Sequence, residues 1–119
     1  MRNFKELKVW QKGFEIAINC FRITNEFPSE EKFGLVSQIN RCGVSIPSNI
    51  AEGSSRTSDK DYSRFIEISL GPCFELETQL LIAKELNFGN ANAIKNNLEL
   101  IMEEEKMLTA FSNRLKANG

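Results

Sequence analysis

The sequence contains no histidine. With it go the commonest general base and the commonest metal ligand among side chains. Ser-His-Asp and Cys-His arrangements are excluded outright, as are the Glu-x-x-His units of a di-iron bundle. There is no Gly-rich phosphate loop and no dinucleotide-binding fingerprint. Cys20, Cys42 and Cys73 are odd in number, widely spaced and each set in an apolar run. They read as small buried thiols of a reducing compartment, not as a disulfide or zinc framework. Glu75 and Glu77 are the remaining carboxylate pair, but two residues apart on a helix they do not share a face. Neither a cofactor nor a metal is expected, and the chain is not read as an enzyme.

Other scarcities bear on class and location. Only three prolines and one tyrosine interrupt the chain, which argues for long helices over many short strands. There is no charged-then-apolar leader and no apolar run of ~18 residues, so neither secretion nor a membrane span is supported and the expected location is cytoplasmic. The formal net charge of -1 leaves no global basic field, so contact with RNA or DNA would need a local patch. What is present is ordinary for one globular domain spanning residues 1–119: 41% hydrophobic and 26% charged residues.

The most instructive stretch runs from Gln38 to Gly53. Ile39, Gly43, Ile46 and Ile50 keep one helical face. Pro47 lies inside that pattern and predicts a kink, with Ser45, Ser48 and Asn49 placed to satisfy freed backbone groups. Gly53 suits the left-handed position that ends many helices.

In chain order, a first helix is predicted from about Phe4 to Asn25. One apolar stripe is Leu7, Trp10, Phe14, Ala17 and Phe21; a second is Val9, Gly13, Ile16, Cys20, Ile23 and Phe27. A helix on the outside of a bundle needs one apolar face, so the excess argues for cover by another subunit or for deep burial within the chain. Val9, Ile16, Cys20 and Ile23 are the candidate oligomer interface. The second helix is predicted from the Ser29 cap to about Glu52, and the third from the Ser58 cap to Leu86, with Tyr62, Ile66, Ser69, Cys73, Leu76, Leu80 and Ala83 inward. Pro72 either kinks that helix or breaks it. The last helix follows a cap at Asn90 or Asn92 and buries Ile94, Leu98, Ile101, Leu108, Phe111 and Leu115. Glu103, Glu104 and Glu105 read mostly as a solvated face, with Glu105 nearest the inner line. The fold class is all-α, an antiparallel up-down-up-down four-helix bundle.

Binding and assembly remain as functions. Arg41, Arg56 and the Lys5–Lys8–Lys12 line could supply phosphate contacts, with Arg64 beside them and Arg56 foremost because it sits in a loop. A plain solvated lysine face explains the lysines equally directly. Arg41 with Glu52, or Arg64 with Glu75, could instead form buried or interfacial ion pairs that set register.

Gln38-x-x-Arg41 followed by Ser45-Ile46-Pro47-Ser48-Asn49-Ile50-Ala51-Glu52-Gly53 resembles the signature of the four-helix-bundle proteins named after the 23S rRNA intervening sequence, also called S23 ribosomal proteins. LKVWQ at Leu7–Gln11, Phe27-Pro28, Phe33-Gly34-Leu35, Arg56 and ELETQL at Glu75–Leu80, which includes Thr78 and Gln79, extend the likeness along the chain. Gly71-Pro72 departs from the family's usual Gly-Ser. The resemblance implies an up-and-down bundle assembled as a homopentamer around a channel. It also implies association with structured RNA or, as in the related accessory proteins of diversity-generating retroelements, with nucleic acid and a reverse transcriptase. The expected function is a non-enzymatic oligomer that binds nucleic acid; the alternative is a protein-binding scaffold for a partner enzyme.

Overall fold

A computed structural model describes residues 3–118. Among them are four α-helices and no strand: α1 Lys8–Thr24, α2 Leu35–Ser54, α3 Asp59–Glu85 and α4 Ala91–Asn118. Short connections make neighbours antiparallel, and α1 packs on α2 and α4 while α3 packs on α2 and α4. The bundle measures 46 × 21 × 20 Å. The expected fold class holds.

The helix ends follow their chemistry. Ser58 accepts from the Asp61 amide at 3.1 Å and Asn90 from the Ala93 amide at 2.9 Å, so Asn90, not Asn92, caps α4. After α3 the Phe88 amide reaches the Ala83 carbonyl and Asn87 takes φ 60, the left-handed residue of a Schellman ending. Gly89, at φ 74, has no room for a side chain, since a Cβ would lie 2.8 Å from the Phe27 ring. Two helices begin later than expected. Phe4–Glu6 and Ser29–Glu31 are isolated 3-10 turns, and Gly34 breaks the backbone before α2.

Both internal prolines are carried within unbroken helices. The Pro72 alternative therefore resolves to one long helix. Gly53 is not the left-handed terminator expected of it: α2 runs on to Ser54, and Gly53 lacks positive φ. It is small because a Cβ there would stand 2.7 Å from the Phe65 Cβ, where α2 crosses α3. Gly43 does the same on the other side, with a Cβ meeting Cys20 Sγ at 3.0 Å and the Ala17 Cα at 3.4 Å.

A polar tie crosses each seam of the bundle. Thr24 Oγ1 donates to Asn40 between α1 and α2 at 3.1 Å, and Ser69 Oγ to the Ile46 carbonyl between α2 and α3 at 3.1 Å. Ser63 and Ser112 join α3 to α4 at 2.9 Å, and Asn97 donates to the Ile16 carbonyl between α4 and α1 at 3.3 Å. Apolar packing alone tolerates sliding between helices; these pairs give each seam one preferred register.

Candidate functional site

The two stripes of α1 are placed the other way round from the expectation. Val9, Ile16, Cys20 and Ile23 lie inside the single chain, packed in the common core, so they are not an interface. The reason is size. Their stripe includes Gly13, which lets α1 close on Ile46 and Pro47 of α2. The bulky rings of the other stripe face outward instead, Phe14 49% and Phe21 51% exposed, while its small member Ala17 is buried. With Trp10, Ile18, Val44 and Ala51 they line a groove of about 310 Å³ between α1 and α2. No charged residue lines it, and Pro47 forms part of its floor. Phe33, 89% exposed, lies just before α2.

Of the basic residues, Arg56 and Arg64 are brought together. Their guanidiniums lie 4.4 and 5.4 Å from the centre of the Phe65 ring, and Asp61 approaches both, at 4.0 and 3.0 Å. Arg56 also meets Glu52 at 3.9 Å. Antiparallel packing puts this corner at the same end as Lys5, Lys8, Lys60, Arg114 and Lys116, with Lys8 and Arg114 lining one cleft. Lys12 turns away and bonds Glu103 of α4 at 2.8 Å, so the three lysines do not form one line. Arg41 is exposed on α2, away from that end. Within one chain the pairings Arg41–Glu52 and Arg64–Glu75 do not occur: eleven residues of helix, about 16 Å, separate each couple.

The signature residues serve packing and backbone. Asn49 Nδ2 donates to the Ser45 carbonyl at 2.9 Å and to its hydroxyl at 3.0 Å, while Ser48 is exposed. Thr78 Oγ1 donates to the Phe74 carbonyl at 2.9 Å. Gln38 is exposed, and Gln79 and Glu75 flank Cys42 at the α2–α3 seam, with Cys42 Sγ 3.9 Å from Glu75. Cys42 is only half-buried, against the expectation of a buried thiol. Burial pushes all three thiols up, Cys20 to about 12, and none is poised as a thiolate nucleophile.

One residue escaped the reading of the acidic run. Glu104, not Glu105, is the inward position, and its side chain is fully buried. Neither carboxyl oxygen has a hydrogen-bond partner. Oε2 stands 3.0 Å from where a Gly13 Cβ would be, beside Pro47, which has no N–H to give the Gly43 carbonyl. Burial drives its pKa up to about 8, opposed only by Lys12, so the group is held neutral at pH 7. The three-four stepping Ile101–Glu104–Leu108 was the available signal.

Among the described residues no group of His, Cys, Asp and Glu could hold a metal ion, and no helix is long and apolar enough to cross a membrane. Residues 5–110 match the family described as 23S rRNA-intervening sequence protein. The fold is similar to the crystal structure of a protein of unknown function from the S23 ribosomal protein family of Bacteroides thetaiotaomicron. Identity is 25%, 87% of this chain and 97% of that one are covered, and the TM-score is 0.80. No protein of curated function matches.

Proposed function

The chain belongs to the family of 23S rRNA-intervening sequence proteins, and from that premise we propose that it is a homo-oligomer, a pentamer as the resemblance implies, which binds structured RNA without catalysing a reaction. The observation that carries the RNA reading is the basic end of the bundle. Lys5, Lys8, Arg56, Lys60, Arg64, Arg114 and Lys116 gather there from α1, α3, α4, the first turn and the α2–α3 loop, and they outnumber the acids Glu6, Glu52, Asp59, Asp61 and Glu67. The apolar groove beside Phe14 and Phe21 supports self-association, because burying it removes aromatic surface from water with no charge to desolvate. In a ring with parallel bundle axes the basic ends share one rim, and repetition multiplies weak phosphate contacts that a near-neutral subunit could not sustain alone. Arg41 lies off that rim and drops out of the contact set; Lys12 is engaged by Glu103.

A mobility shift with a folded RNA hairpin tests the reading. Binding is expected at low salt, falling steeply as salt rises because phosphate contact releases counterions. Arg64→Ala, at an exposed side chain, and Arg56→Ala should each weaken binding several-fold and reduce the salt slope by about one. No shift at low salt, or binding indifferent to salt, contradicts it.

A further inference from the structure

A second open groove runs between α3 and α4, about 620 Å³ in volume, and differs in kind from the first. Phe74 of α3, with Leu81 two turns further along, and Met102 of α4 supply its apolar lining, all roughly half-exposed. Around them stand the carboxylates Glu77, Glu99, Glu103 and Glu105, against one cation, Lys106. From this geometry we infer that the α3–α4 groove is a docking surface for a cationic amphipathic helix of a protein partner, its apolar side chains against Phe74, Leu81 and Met102 and a lysine or arginine between Glu77 and Glu105.

Charge selects this occupant. Phosphate would meet four carboxylates, which excludes the nucleic acid proposed for the basic end. The uncharged α1–α2 groove of a second copy would bury those carboxylates with nothing to pair them. An amphipathic helix brings apolar residues at three- and four-residue spacing, the spacing at which such grooves accept helices, and cations on their flanks. One detail marks where a cation belongs. Glu105 Oε2 is shut from water, and burial, a side-chain hydrogen bond with Glu77 and that neighbour's charge raise Glu105 to about 7. A proton shared by the pair stands where an ammonium or guanidinium would sit. The titratable groups facing this pair are Glu99, Glu103, Glu104 and Lys106 on α4, Cys73 on α3, and Lys12 of α1, which is bonded to Glu103. Among the described residues α2 does not touch α4. Because the arriving cation displaces that proton, binding tightens as pH rises through about 7.

The test uses the full chain and three fluorescein-labelled synthetic peptides of about fifteen residues, long enough for four helical turns. One is an amphipathic leucine–lysine helix, one has the same composition scrambled to abolish the apolar face, and one replaces lysine with glutamate. Fluorescence anisotropy should show that the first binds and that it tightens roughly tenfold between about pH 6 and about pH 8, as proton displacement requires. Neither control should match it. The double variant Glu77→Gln/Glu105→Gln should weaken binding about tenfold and erase the pH dependence, and Phe74→Ala should weaken it at every pH, with helicity by circular dichroism unchanged. Glu26→Gln/Glu30→Gln, in the connection between α1 and α2 and outside the groove lining, should change nothing. Equal binding of the scrambled peptide, or an unaffected double variant, overturns the proposal. So does a change in the chain's own mass on Glu77→Gln/Glu105→Gln, which would assign the groove to self-association. None of these readouts involves RNA, so their failure leaves the basic end untouched.

Discussion

Helix α1 carries two apolar stripes of the same period, and they have opposite fates. Val9, Gly13, Ile16, Cys20 and Ile23 face the core, while Phe14, Ile18 and Phe21 stand in solvent. Hydrophobicity does not separate them, since the exposed stripe is the more aromatic. Side-chain volume does. A close α1–α2 seam needs Gly13 opposite Ile46 and Gly43 opposite Cys20, distances at which a ring cannot fit. The inner stripe therefore holds the chain together, and the outer one is left for something else. Substitutions on the two sides should report on different quantities.

The largest effect belongs to the inner side. Ile16→Ala removes a fully buried side chain from the core and should destabilise the fold by about 3 kcal/mol in urea denaturation. The same change should leave the association of whatever remains folded unaltered. A loss below about 1 kcal/mol would mean the seam can collapse around the gap.

Next comes Glu104, which lies against the same Gly13. Its native pKa of about 8 exceeds the unperturbed carboxyl value, so the native state holds a proton that the unfolded chain has released. Between about pH 4.5 and about pH 8 the native state binds more protons, and this residue's contribution to stability falls as pH rises. Glu104→Gln keeps the shape and removes the titration. The variant should gain a few kcal/mol over the parent at about pH 8 and nothing near pH 4. Parallel stability–pH curves for the two would show the carboxyl already ionised in the fold. Phe21→Ala, on the outer stripe, should sit at the small end: under about 1 kcal/mol of subunit stability, because a half-exposed ring loses little burial.

Periodicity made much of the architecture legible before any coordinates. The inward line of α3, Tyr62 through Ala83, and that of α4, Ile94 through Leu115 except the half-buried Phe111, are buried as their spacing predicts, and Ser58 and Asn90 cap as their side chains dictate. Two stripes of equal hydrophobicity on α1 leave the inward face undecided by periodicity; the volume of Gly13 in the inner one decides it. Gly53 was read as a backbone device when it serves a helix crossing, a distinction that only the approach of Phe65 supplies. Glu104 hid in a run of three acids because a carboxyl is expected in water, and only its register with Ile101 and Leu108 argues otherwise. Arg41–Glu52 and Arg64–Glu75 pairs within one chain fail on the spacing alone, each couple being three turns apart on one helix. Arg56 and Arg64 were named separately, and their convergence on Phe65 needed the α2–α3 corner to be built.

The mass of the protein in solution tests the central claim, that copies of this chain cover the outer stripe of α1. Light scattering at micromolar concentration should return several times the 13.5 kDa of one chain. Phe14→Asp/Phe21→Asp should return 13.5 kDa with its helicity intact. A parent protein that stays at 13.5 kDa as concentration rises would contradict it.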